Sequence, residues 1–384
     1  MTRSRSSIAV GMGLWTIVVL IALRGVADAK SELQLIKYKM PQLYPESFDW
    51  DRKHDRFIVG STVLGKLVTL TDTGAVEDFV SDSDLEGQSE VHGVFVDARR
   101  NRVLAVVEAG RGEFDPQVAR LVAYDLDSKK RTLMVTLSEE GTQPYFFKDV
   151  CADNEGNAYV TETTSNSVWK VTSSGEASLF VTLPQYEILQ SEPMFAQAGV
   201  SGLVFVDGLL LVSQFNSGAL IRVKVSDRKV EKVKVADGLT MSEADGMAIR
   251  QDGALVVVSS HTAWLLSSRD FWHSATLVDK VVLEKTTYST SVAVKDLRVY
   301  VLASYLHEDL EGLSREDFQI EEIEFPADVA NNPLYLLVIV GMFGLLVLIW
   351  KFQVNQFNKS YTKKRISNAE SLHARGSDFI LVRD

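Results

Sequence analysis

Six polar residues, Glu46, His92, Lys148, Ser201, Asp245 and Thr290, each stand just before a small or acidic residue at the head of a short apolar run. Brought together, they would line one site with two carboxylates, an ammonium, an imidazole and two hydroxyls, and Asp149 would stand beside Lys148. Such a site holds charge and donates and accepts hydrogen bonds at a single point, as a central binding or reactive site requires. His92 taken alone reads as a polar lining residue. The single cysteine, Cys151, reads as a small buried residue and has no partner for an internal disulfide. Other chemistries lack their residues. There is no Gly-x-Ser-x-Gly elbow, no zinc-spaced His/Cys set and no phosphate loop, and Gly199-Val-Ser201-Gly lacks the elbow's spacing.

A repeat must position the six. From about 46 to 325 the chain has no 3.6-residue apolar period, and short β-branched and aromatic runs alternate with turn residues. Six runs align, beginning at Arg56, Arg102, Asn157, Leu209, Ala254 and Arg298, with starts 46, 55, 52, 45 and 44 residues apart. Turn signals precede them at His54-Asp55, Arg100-Asn101, Glu155-Gly156, Asp207-Gly208, Asp252-Gly253 and Asp296-Leu297. Four strands per repeat, six times, predict an all-β fold, a six-bladed β-propeller over residues 30–330. A pair of β-sandwiches would explain the strand spacing but not the six-fold register.

The alternating segment 32–40 is expected to close the ring as an added strand beside 318–325. The long connections, 81–90, 110–118, 138–146, 183–198 and 305–316, all fall between second and third strands or between blades. They therefore gather on one face, the face on which the innermost strands begin. The expected site is the axial mouth there.

The ends predict topology. Arg3 and Arg5 precede a sixteen-residue apolar run, Ile8 to Leu23, and Ala27 and Ala29 offer a cleavage site, so residues 1–29 read as a signal peptide. Whether cleaved or kept as an anchor, the segment directs the body into the secretory pathway. Residues 333–350 are eighteen in a row without a charge or amide, followed by Lys351, Lys359, Lys363, Lys364 and Arg365. That pattern predicts one transmembrane helix with the basic tail, 351–384, in the cytosol and the propeller lumenal or extracellular. The sequon at Asn358 then lies in the cytosol and carries no N-glycan. Which membrane of the pathway, endomembrane, vacuole or plasma membrane, is not written in the residues.

At Tyr44-Pro45-Glu46-Ser47-Phe48-Asp49-Trp50-Asp51, at 148–161 from Lys148 to Thr161 and at Asp245-Gly246-Met247-Ala248, the chain resembles the gluconolactonase, regucalcin and strictosidine-synthase-like propellers. Among these it resembles in particular the plant proteins labelled calcium-dependent phosphotriesterase superfamily. The likeness covers about residues 41–325. It implies one axial divalent cation, commonly Ca²⁺, with Glu46 and Asp245 as ligands and Asp245 also as general base. Where the family places two Asn ligands, this chain has Lys148 and Ser201. An ammonium in place of an amide oxygen turns attraction into repulsion, and a serine hydroxyl is a weak ligand for Ca²⁺. Asp149 restores a ligand only if the register shifts by one. Thr290 offers no carboxylate in the sixth blade, which disfavours strictosidine-type condensation.

Two functions follow from the resemblance and its departures. One is a metal-assisted lactone or ester hydrolase with Asp245 as base and His92 assisting. The other is a non-catalytic propeller that binds a small molecule or a protein, in which Lys148 neutralises Glu46 and Asp245 as the metal would. Charge narrows the partners. The chain carries −11 overall, with +2 in residues 1–29 and +4 in 351–384, which leaves −17 for residues 30–350. The five long loops hold −12 of it. A face of that sign excludes nucleic acid and disfavours anionic substrates, and it suits a neutral or cationic small-molecule ligand.

Overall fold

The structure, a computed structural model, describes residues 33–85, 89–109, 118–138, 145–189, 196–325 and 333–377. The described residues from 33 to 325 belong to one compact unit, and those from 333 to 377 belong to a second.

In the larger unit, six sheets, antiparallel apart from one added edge strand, follow one another along the chain. Their innermost strands are Pro45–Asp51, Ser89–Asp97, Phe147–Ala152, Val200–Val206, Met247–Ile249 and Ser289–Lys295, which define blades 1 to 6. The expected second strands are present at Arg56–Ser61, Arg102–Ala109, Ala158–Glu162, Leu209–Gln214, Leu255–Val258 and Arg298–Ala303. Each is reached through a turn with a left-handed residue, at Asp55, Asn101, Gly156, Asp207, Gly253 and Asp296. Asp, Asn and Gly tolerate that conformation, which is why these turns were legible as sequence.

Position within a blade decides the burial pattern. Leu209–Gln214 is buried at every residue because neighbouring blades cover both faces of the inner strands. The outer strand Ser274–Val282 alternates instead, with one face wet. Leu35–Lys39 pairs antiparallel with Asp317–Ile323 and becomes the outer strand of blade 6, so the two ends of the propeller close the ring as the alternation at 32–40 predicts. Ile36 and Tyr38 from this strand are buried among Tyr44, Phe48, Phe57, Tyr300 and Phe318 of blades 1 and 6. One pairing carried no sequence signal: Lys234–Val235 runs parallel to Ser274-Ala275 and stitches the end of blade 4 to the edge of blade 5.

Three glycines set how closely the inner strands approach. A Cβ on Gly93 would lie 2.6 Å from the Lys148 carbonyl oxygen, one on Gly202 would lie 2.1 Å from that of Asp245, and one on Gly246 would lie 2.7 Å from that of Thr290. In each case the glycine of one blade rests on the backbone of the next blade's axial residue. Blades 1 and 3 have Ser47 and Asp149 at this position, whose side chains instead accept the Val94 and Leu203 backbone N–H groups at 3.0 and 3.1 Å. The small-residue position is thus the hoop that holds the axial residues in register.

The second unit contains a helix, Pro333–Ser377, which continues well past the expected end of the span at 350. Among the described residues no helix is long and apolar enough to cross a membrane. The side chains of 333–340, within the expected span, lie outside the described residues, as does the expected signal peptide at 1–29. Parts of four expected mouth loops, 86–88, 110–117, 139–144 and 190–195, also lie outside them.

Candidate functional site

The structure brings five of the six axial residues into one chain of contacts. Lys148 Nζ lies 3.3 Å from Glu46 Oε1 and 3.3 Å from Asp245 Oδ2, between the two carboxylates. The other oxygen of Asp245 accepts the Ser201 hydroxyl at 2.6 Å. The other oxygen of Glu46 faces His92 Nδ1 at 2.5 Å. Beyond it, His92 Nε2 lies 3.4 Å from Glu90 and 3.8 Å from Glu108, while the Phe146 ring sits edge-on to the imidazole with centroids 4.9 Å apart. Thr290 is different. Its hydroxyl donates to the Glu46 backbone carbonyl at 2.7 Å, so it clasps blade 6 to blade 1.

Asp149 also stays out of the cluster. Both of its oxygens accept backbone N–H groups, from Val150 at 2.9 Å and Leu203 at 3.1 Å, so it bridges blades 3 and 4. It lines a cavity of about 200 Å³ with residues of all six inner strands, among them Asp49, Phe95, Phe205, Met247 and Ser291. Cys151 is buried, and burial pushes its thiol well above the ordinary range, so it is no nucleophile at neutral pH.

Electrostatics fixes the charge states. Burial alone would raise the Glu46 carboxyl, but the cations at His92 and Lys148 outweigh it and hold the carboxyl at about 2. Burial opposes charge on His92, yet Glu46, helped by Glu90 and Glu108, lifts it to about 10. Lys148 is held above its ordinary value, because Asp245 and Glu46 more than offset its desolvation. Burial raises Asp245, while Lys148 and Ser201 draw it back. At neutral pH the cluster therefore pairs two cations with two carboxylates. A protonated His92 has no lone pair for accepting a proton, and both oxygens of Asp245 are occupied.

This donor set does not fit Ca²⁺. The ion takes six to eight oxygens, whereas the space between Glu46 and Asp245 is taken by an ammonium. Among the described residues no three or more His, Cys, Asp or Glu side chains gather as metal ligands.

The surroundings hold residues that sequence reasoning missed. Phe215 lies with its ring centroid 6.0 Å from Lys148 Nζ. Tyr288, two residues before Thr290, is partly buried, and burial raises its phenol, which also feels Glu243, Asp245 and Lys148. His261 and His307 flank the Tyr288 ring, at centroid distances of 6.3 and 5.8 Å. Their signal was faint: single residues in separate connections, His307 within the short helix Leu306–Leu310, with no shared motif.

The fold and site define a six-bladed propeller with a charged axial cluster, and solved structures share the architecture. The chain resembles the major allergen Mala s 1 of Malassezia sympodialis, with a TM-score of 0.63, 18% identity, 76% of this chain covered and 96% of that one. A gluconolactonase from Xanthomonas campestris matches with a TM-score of 0.51 and 13% identity, over 76% of this chain and 91% of that one. A luciferin-regenerating enzyme matches with a TM-score of 0.51 and 13% identity, over 76% and 96%. The structural neighbours are thus gluconolactonase-like propellers, and at these identities the likeness is one of fold. No protein-family profile matches the chain, and no curated protein matches it by sequence.

Proposed function

We propose that this protein is a binding propeller for small, neutral molecules, in which the Lys148 ammonium replaces the axial divalent cation of metal-dependent lactonases. The observation that carries this reading is the lysine nitrogen 3.3 Å from both Glu46 and Asp245. An internal cation satisfies both carboxylates permanently and supplies a hydrogen-bond donor at the axis. It cannot polarise a carbonyl as a metal does or generate a metal-bound hydroxide. Because the cluster pairs its charges, it asks for no counter-ion, and the acidic face above it disfavours anions. The ligand is therefore neutral, or cationic when drawn by the loops.

The proposal includes topology. The apolar run 8–23 and the run 333–350 with its cationic flank support a secretory-pathway protein anchored by a single C-terminal helix, propeller lumenal or extracellular and tail cytosolic.

The competing reading is a metal-assisted lactonase. Full-length protein incubated with a panel of γ- and δ-lactones, with Ca²⁺ or with chelator, separates the two. The expected result is no hydrolysis above the uncatalysed rate under either condition. Calcium-stimulated hydrolysis lost in Glu46→Gln and Asp245→Asn would overturn the proposal.

A further inference from the structure

Unpaired nitrogens at the mouth say more about the ligand. Among the described residues, six side-chain polar atoms are buried without a hydrogen-bond partner, and three of them are imidazole nitrogens: Nε2 of His92 and Nδ1 of His261 and of His307. Buried polar atoms are normally paired, so a concentration of exceptions in one place marks a surface waiting for a partner. His92 retains its ion contacts with Glu90 and Glu108. For His261 and His307, the ring between them is Tyr288.

The placement of that ring is imposed by the backbone. Tyr288 and Tyr305 both adopt left-handed φ, 50° and 54°, which is costly for residues with a Cβ. Two loops are tied together to hold them there. The Tyr305 N–H donates to the Thr287 carbonyl at 3.1 Å, and the Ser304 N–H and hydroxyl both donate to the Tyr288 carbonyl. Strain that the surrounding structure maintains, beside unsatisfied donors and acceptors, is a mark of a functional wall. The Asp245 N–H donates to the Val258 carbonyl at 2.8 Å and the Thr290 hydroxyl to the Glu46 carbonyl at 2.7 Å, so His261 and Tyr288 follow and precede by a few residues the backbone that touches the axial cluster.

We infer that His261, Tyr288 and His307 form a recognition wall for a planar, hydroxylated aromatic ligand whose other end accepts a hydrogen bond from Lys148. The inference rests on the proposed binding function of the mouth and names the class of molecule bound there. An imidazole nitrogen donates a hydrogen bond when it carries a proton and accepts one when it does not, and hydroxyl groups satisfy either. The aromatic character follows from the rings present: Phe146 beside His92, Phe215 beside Lys148, and Tyr288 between His261 and His307. Flat rings reward a flat partner by stacking, whereas a saturated polyol gains only the hydrogen bonds.

The test uses the full chain at pH 6 with 7-hydroxycoumarin as fluorescent probe and glucitol as the saturated comparison. The expected result is saturable binding of 7-hydroxycoumarin, at least tenfold tighter than any binding of glucitol. His261→Phe and His307→Phe should each weaken it at least tenfold, and Tyr288→Phe should weaken it less. Because each histidine variant removes an unpaired nitrogen, its melting temperature should equal or exceed that of the parent, which separates lost recognition from lost folding. Absence of coumarin binding, equal binding of glucitol, or unchanged affinity in both histidine variants would overturn the inference. Lys148→Arg distinguishes the two levels. If it weakens binding while the histidine variants do not, the wall fails and the axial reading stands. If only the histidine variants weaken it, the wall stands and the role of Lys148 fails.

Discussion

Lys148 carries 17% of its side-chain exposure, yet it is the cation on which two buried carboxylates depend. Removing one member of such a network costs more than the network itself contributes, because an uncompensated charge is left behind. Lys148→Met should therefore destabilise the protein by about 3–5 kcal/mol in urea unfolding, and Lys148→Met combined with Glu46→Gln should recover part of the loss. A loss below about 1 kcal/mol would mean that the carboxylates find other partners. The identities of these residues were legible in the sequence: Glu46, His92, Lys148, Ser201 and Asp245 do meet. What was not legible is direction. Thr290 and Asp149 occupy equally plausible positions, but their side chains turn to the backbone of a neighbouring blade. A one-dimensional register gives depth along the axis, and rotamers are decided by which N–H or carbonyl lies within reach.

At the scale of the element, the inner strands act as a hoop closed by small residues. Gly202 is its tightest point, since a Cβ there would overlap the Asp245 carbonyl. Gly202→Ala should push blade 5 outward, carry Asp245 away from Lys148, and lower stability by about 1–3 kcal/mol, the cost of overpacking with backbone shift. Gly208→Ala serves as control. No atom lies within 4 Å of the Cβ it would add, so it should lose only the smaller cost of its left-handed φ of 79°. Equal effects of the two substitutions, by thermal unfolding, would contradict the hoop. The blades were legible because turn chemistry and strand composition repeat. The parallel stitch at Lys234–Val235 was not, because two residues hold no periodicity. The His–Tyr–His wall escaped for a related reason: separate connections create it, and these connections carry no repeat.

For the whole molecule, acidity and burial combine in one pH dependence. Burial lifts Glu108 from 4.5 to about 7, Asp149 from 3.8 to about 7 and Asp49 from 3.8 to about 6, and Glu46 leads the charges that lift His92 from 6.5 to about 10 against its desolvation. A group whose pKa is raised by folding binds its proton more tightly in the folded state. Its contribution is complete below the unfolded pKa and is lost as pH rises through the folded one. The three carboxyls thus withdraw stability between about pH 4 and 7, and His92 withdraws more between 6.5 and 10. Glu46 is lowered from 4.5 to about 2, so its contribution is complete above 4.5 and disappears only as pH falls towards 2. Stability should peak near about pH 4 and decline steadily to pH 9 in urea titrations. A rise over that interval would contradict the assigned charge states. The −17 of residues 30–350 acts in the same sense, since self-repulsion grows as carboxyls ionise.

The central claim is that a lysine stands where a metal would. Calorimetric titration of Ca²⁺ into the full-length protein and into Lys148→Asn/Ser201→Asn tests it most directly. The expected result is no saturable one-to-one binding up to millimolar Ca²⁺ in the parent, and binding gained in the double variant, where two amide oxygens join Glu46 and Asp245. Stoichiometric Ca²⁺ binding by the parent, abolished by Glu46→Gln, would contradict it.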